Sequence, residues 1–156
     1  MIAERADVGL RTVFRHFEDM ERLYREIGTV IEAEIRPIVD RPFEAEDWRG
    51  RIEEVIERRA QLFERIMPFR IAADVYRHTS PSIVTRQEEF VALQRRYLER
   101  ALPPAMLDDA LRIEALDLVS SYEAWRRMRH EQHLGPDEAK RVMAFAIHQM
   151  IAGEDS

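Results

Sequence analysis

Apolar side chains along the chain recur at intervals of three and four and show no sustained alternation, a pattern that predicts helices and no strands. From Glu18 to about Val39, the residues Leu23, Tyr24, Ile27, Val30, Ile31, Ile35 and Ile38 form one stripe, predicting a long amphipathic helix bent near Pro37. The stretch "DRPFEAED" interrupts the period, and Asp47 is placed to cap a new helix. This second long helix is expected from Trp48 to Met67, burying Trp48, Ile52, Val55, Ile56, Phe63, Ile66 and Met67, with Pro68 breaking or restarting it. "PFRIAADVYRHT" then reads as a short helix. Ser80 as N-cap and Pro81 at the first helical position open the next, which buries Ile83, Val84, Phe90, Leu93, Tyr97 and Leu98 and ends at Pro103 and Pro104. A helix from about Ala105 to His130, a turn at "HLGP" and a last helix from Pro136 to Ile151 complete an all-α chain.

The last two helices carry more apolar surface than one stripe. In the first of them Leu111, Ala115, Leu118, Tyr122 and Trp125 make a row, with Ile113, Leu116, Val119 and Ala124 to either side. In the other, Val142, Met143, Phe145, Ala146, Ile147, Met150 and Ile151 cover most of the circumference. Such helices are buried on two sides, either as central core helices or against a copy of themselves across a two-fold axis. A terminal hairpin is rarely central, so a homodimer through a four-helix interface is expected, with Leu118, Trp125, Val142, Phe145, Ala146 and Met150 as candidate interface residues.

Composition narrows the class. The 156 residues suffice for one domain with a real core, and 46% hydrophobic against 35% charged residues with only 5 glycines is a globular helical profile. Without cysteine, disulfides, thiolate metal sites and cysteine nucleophiles are excluded. No uninterrupted apolar run reaches membrane-spanning length and no signal-peptide pattern opens the chain, so a cytoplasmic protein without a membrane partner is expected. A net charge of -6 means that any nucleic-acid contact is a local patch.

One such patch stands near the start, in "IAERADVGLRTVFRHF". Ile2 to Ala6 reads as the end of a short helix and "DVG" as a tight turn, Asp7 tolerating left-handed backbone and Gly9 serving as N-cap. Leu10, Val13 and Phe17 then form an apolar back, leaving Arg11, Thr12, Phe14, Arg15 and His16 on the other faces. That is the shape of a helix entering a major groove, although a solvated amphipathic helix has the same composition.

The segment "IAERADVGLRTVFRHFEDMERLYREI" resembles the second and third helices and the start of the fourth in the tetracycline-repressor (TetR) family of bacterial regulators, whose pattern runs I-A-x-x-A-G-V-S-x-x-T-[VL]-Y-x-[HY]-F-x-x-K-x-x-L. The remaining helices are similar in order: a linking helix, a ligand-binding body and a dimerising pair. The resemblance implies a partial helix-turn-helix DNA-binding domain over 1–27 and a ligand-binding and dimerisation domain over 28–156. In the first, Leu10, Arg11, Thr12, Phe14, Arg15 and His16 are the DNA-binding residues. Asp7, Gly9, Phe14 and Met20 depart from the family's usual glycine, serine, tyrosine and lysine. The family's first helix is absent before Ile2, so an incomplete form of a full regulator is expected.

The resemblance further implies operator DNA as partner and a small-molecule effector whose candidate contacts are Phe63, Met67, Arg70, Tyr76, Phe90, Tyr97 and Tyr122, an apolar and aromatic set that also suits a plain core. Arg70, Asp74 and Arg77 suit a polar contact, a hinge or a solvated ion-pair cluster. His130 and His133 beside Glu131 have metal-compatible spacing, but they stand where a helix end favours positive charge in any case, and no metal or cofactor is expected. No nucleophile motif or phosphate loop is present, so the expectation is a ligand-responsive transcriptional regulator, a homodimeric repressor and not an enzyme. The alternative is a dimeric helical binding protein that has lost DNA binding.

Overall fold

The computed structural model describes residues 19, 21–26, 28–29, 31–33, 35–74 and 81–153, and among these every regular element is a helix. The described residues of 21–39 are helical and are referred to together as α1; α2 is Trp48–Asp74, α3 Pro81–Ala101, α4 Pro104–Leu107, α5 Ala110–Val119, α6 Tyr122–Arg126 and α7 Pro136–Ile151. A π-helical turn, Arg127–Glu131, extends α6. The long helix α2 is the centre: α3, α6 and α7 pack on it, and α5 bridges α3 and α7.

Asp47 caps α2 as its sequence position predicts, accepting the Gly50 amide at 2.8 Å. The helix does not stop at Pro68 but runs on to Asp74. Proline removes one backbone donor at a cost of about 3 kcal/mol. Here Ile66 and Met67 hold the preceding turn in the core while Pro68 itself is exposed, so packing carries the helix through. Pro37 likewise lies within helical residues 35–39. The N-cap expected at Ser80 lies outside the described residues.

The single helix expected from Ala105 to His130 is instead several pieces. Asp109 accepts the Arg112 amide at 3.1 Å and starts α5. Ser121 accepts the Ala124 amide at 3.1 Å and starts α6. Ser120 ends α5 by donating its hydroxyl to the Leu116 carbonyl at 2.6 Å. Short side chains that hydrogen-bond their own backbone compete with helix, and two serines in succession win here. The break re-aims the chain: Leu111 and Leu118 on α5 are 84% and 69% exposed, whereas Tyr122 and Trp125, on the same sequence row, are 2% and 0% exposed. At "HLGP" the left-handed residue is His133, with φ of 56°, while Gly135 is the extended N-cap of α7.

The core is built around Phe63, whose ring meets Tyr122 at 5.7 Å, Trp125 at 6.1 Å and Phe90 at 6.5 Å. Val55, Leu98, Leu116, Met143 and Ile147 surround this cluster, all of them buried. Two arginines next to each other on α2 are also buried. Arg58 donates to Tyr97 Oη at 2.6 Å, to the carbonyls of Arg41 and Pro42, and to Glu54. Arg59 donates to the Ser120 and Gln94 carbonyls, each at 2.7 Å, and to the Ser120 hydroxyl. Burial pulls the Arg59 guanidinium from its ordinary value down to about 10, against the opposing charge of Asp117 at 3.9 Å. Exposed pairs tie α7 to α2, Lys140 to Glu57 at 2.9 Å and His148 to Glu53 at 2.5 Å.

Two partly buried carboxylates, Glu54 and Glu64, are among the groups that make stability sensitive to acid. Burial pushes Glu54 up, but the Ala45 and Glu44 amides and Arg58 outweigh it and hold it below the usual carboxylate range. Burial also pushes Glu64 up, and Arg129 at 2.7 Å with the Trp125 indole N–H at 2.8 Å outweigh it. A carboxylate depressed in the folded state stabilises fully above its unfolded value of about 4.3, and loses that contribution as pH falls through the folded value. The urea midpoint is therefore expected to drop between about pH 5 and pH 3. The drop should be shallower in a Glu54→Gln, Glu64→Gln double variant, and an equal drop in both proteins would rule these two groups out.

Candidate functional site

A cavity of about 260 Å³ lies between α1, α2 and α3, just below the range of roughly 300–1,000 Å³ of typical ligand pockets. From α1 it is lined by Tyr24, Gly28, Ile31, Glu32 and Ile35, from α2 by Ile66, Phe69 and Arg70, and from α3 by residues between Ile83 and Leu93. The lining is mainly apolar because the amphipathic stripes of three helices converge there without closing on one another. Tyr24 fastens the α1 wall to the end of α2 by donating its hydroxyl to the Ala72 carbonyl at 3.2 Å.

Two arginines reach this space. The Arg70 guanidinium lies over the rings of Tyr122 and Phe90, 4.3 and 4.7 Å from their centroids, with Glu123 at 3.7 Å. Cation–π contact of this kind is worth about 0.5–2 kcal/mol and fixes the guanidinium plane. Arg86 spans from α3 to α1, donating to the Arg25 carbonyl at 3.4 Å and standing 3.9 Å from Glu32. It lies close against the glycine opposite: a Cβ on Gly28 would stand 2.8 Å from an Arg86 terminal nitrogen, so a larger residue there would make the guanidinium shift.

Of the expected effector contacts that fall among the described residues, Arg70 and Phe90 line the cavity. Phe63, Met67 and Tyr122 are core residues, because the cluster around Phe63 closes the space beneath Phe90. Tyr97 faces a separate void of about 20 Å³ and accepts the hydrogen bond from Arg58. Tyr76 and Arg77 lie outside the described residues. The α1 wall and Arg86 are not among the expected contacts; the one clue in the sequence is Gly28, a glycine that lowers helix propensity inside a helical period.

The expected interface residues also divide. Leu118, Val142 and Phe145 are 69%, 43% and 67% exposed on the packed pair α5 and α7, and Ala146 and Met150 are half-buried beside them. Trp125 is instead sealed in the chain's own core, because the Ser120–Ser121 break turns α6 inward. Leu10, Arg11, Thr12, Phe14, Arg15 and His16 lie outside the described residues, as does Met20.

His130 and His133 are not brought into a metal-holding cluster: among the described residues no group of three or more His, Cys, Asp or Glu could hold a metal ion. No described helix is long and apolar enough to cross a membrane. No family model, curated protein or solved structure matches the chain.

Proposed function

We propose that the chain is a ligand-responsive, DNA-binding transcriptional regulator of the tetracycline-repressor kind, a cytoplasmic homodimeric repressor without catalytic activity. The observation that carries this reading is the position of the cavity. Its outer wall is α1, the helix that comes directly after "LRTVFRHF" in sequence, so an occupant presses on the connection between the effector body and the proposed DNA-reading segment. A ligand that favours one placement of α1 shifts the population toward that placement and so changes the spacing of two recognition helices in a dimer.

The test is binding of the protein, with any residues encoded upstream of Met1 included, to the DNA upstream of its own gene at about 50 and about 200 mM salt. Sequence-dependent binding that weakens roughly a thousandfold or more across that range is expected of several phosphate contacts per dimer. Equal, weak binding to any duplex would sink the DNA-binding reading. It would favour a dimeric small-molecule-binding protein instead, a reading that the net charge of -6 and Met20 at the usual lysine position support.

The dimer has its own measurement. Leu118 and Phe145 are the most exposed of the expected interface residues, so a Leu118→Glu, Phe145→Glu double variant should keep the monomer fold within about 1 kcal/mol. It is expected to sediment as a monomer where the parent chain sediments as a dimer. A variant that remains dimeric would move the interface elsewhere.

A further inference from the structure

We infer that the cavity takes a small apolar molecule carrying a single carboxylate or similar anionic group, and that the anion engages Arg86 in place of Glu32. The inference rests on reading the cavity as the effector site and adds the class of ligand and the contact that loading breaks.

The charged residues of the lining are arranged unequally. The Arg70 and Arg86 side chains are 20% and 38% exposed, whereas Glu32 is 54% exposed and Glu89 is also an exposed residue. The two guanidinium groups of the lining are thus less exposed than its two carboxylates, and they are the charges an entering apolar ligand is better placed to meet. A ligand amine would meet two guanidinium groups, and an uncharged ligand would leave them their present partners at 3.4 to 3.9 Å. A carboxylate offers charge-assisted hydrogen bonds of about 2.7–2.9 Å, roughly twice as strong as neutral ones.

Arg86 is the group able to accept that offer. Arg70 is clasped between Phe90 and Tyr122, whereas the polar partners of Arg86 among the described residues are the Arg25 carbonyl at 3.4 Å and Glu32 at 3.9 Å. Glu32 gives it up readily, because Arg36, one turn away on α1, already stands nearer at 3.4 Å. The apolar remainder of the ligand is taken by Ile31, Ile35, Ile66, Phe69 and Ile83. A cavity of about 260 Å³ admits only a small ligand, for which an eight-carbon chain is a suitable probe.

Exchange of partners has a structural consequence. Arg86 belongs to α3, while Glu32 and the Arg25 carbonyl belong to α1. A ligand anion that captures Arg86 replaces the direct α3 to α1 tie with one that runs through the ligand, which also touches Ile31 and Ile35 of α1.

The test is calorimetric titration of the full chain with octanoate, 1-octanol and octylamine, matched in chain length and differing in head group. Octanoate is expected to bind at least tenfold tighter than octanol, and octylamine more weakly than either. Arg86→Gln should erase the preference for octanoate over octanol. Glu32→Gln should tighten octanoate severalfold, since it removes the competing carboxylate, and leave octanol unchanged. Octanol binding as tightly as octanoate, or Glu32→Gln weakening octanoate, overturns the anion assignment while the cavity remains a ligand site. Failure of all three compounds to bind overturns the effector-site reading itself.

Discussion

Replacing Arg59 with alanine is expected to destabilise the chain by about 3–5 kcal/mol, the range for breaking a buried charged network by removing one partner. The loss is large because Arg59 joins three elements. It reaches the Gln94 carbonyl on α3 and both the carbonyl and hydroxyl of Ser120 at the α5–α6 break, and Asp117 stands 3.9 Å away. Alanine leaves those acceptors buried without this donor, and each such group costs about 1–3 kcal/mol. Asp117 makes matters worse: burial already raises its pKa despite Arg59 and Arg95, so losing Arg59 raises it further. The measurement is urea unfolding at neutral pH, with Arg59→Ala compared with an Arg59→Ala, Asp117→Asn double variant. The double variant should recover part of the loss, and a single variant within about 1 kcal/mol of the parent would mean that water replaces the guanidinium at no cost.

Trp125→Ala is expected to cost a similar amount, about 3–5 kcal/mol, for a different reason. Trp125 is fully buried, and removing its ring opens a void beside Phe63 that a close-packed interior fills only in part. The indole N–H also donates to Glu64, so Trp125→Phe separates the two effects: most of the packing survives while Glu64 keeps Arg129 alone. Thermal unfolding should rank the parent above Trp125→Phe and Trp125→Ala last. If alanine and phenylalanine proved equal, the hydrogen bond and not the packing would be the dominant contribution.

Much of the helix plan is legible in the sequence because it depends on local rules. Asp47, Pro81 with the Pro103–Pro104 stop, and Pro136 each mark a terminus by backbone chemistry that works without neighbours, and α7 runs from Pro136 to Ile151 as predicted. The sequence misleads where tertiary packing competes with a local rule. Pro68 reads as a breaker, yet the anchored turn before it keeps α2 continuous. Ser120 and Ser121 read as tolerable helix residues, yet the Arg59 contact to Ser120 and the cap at Ser121 make the break a fixed joint.

The candidate site is legible only in part for the same reason. Aromatic residues at helical spacing do not say which of them face a space and which fill it. Phe90 and Phe63 are 6.5 Å apart, one on the cavity wall and the other in the core. Arg86 cannot be found by periodicity, because its partners, the Arg25 carbonyl and Glu32, lie on a helix distant in sequence.

The pairing of Lys140 with Glu57 makes the molecule easy to report on. Lys140 is the chain's single lysine, so an amine-directed acylating dye has one side-chain target, and it lies on α7, the helix that also carries Val142 and Phe145. Acylation removes the charge that holds α7 to Glu57 on α2. The extent of labelling over time thus reads how often that clasp opens.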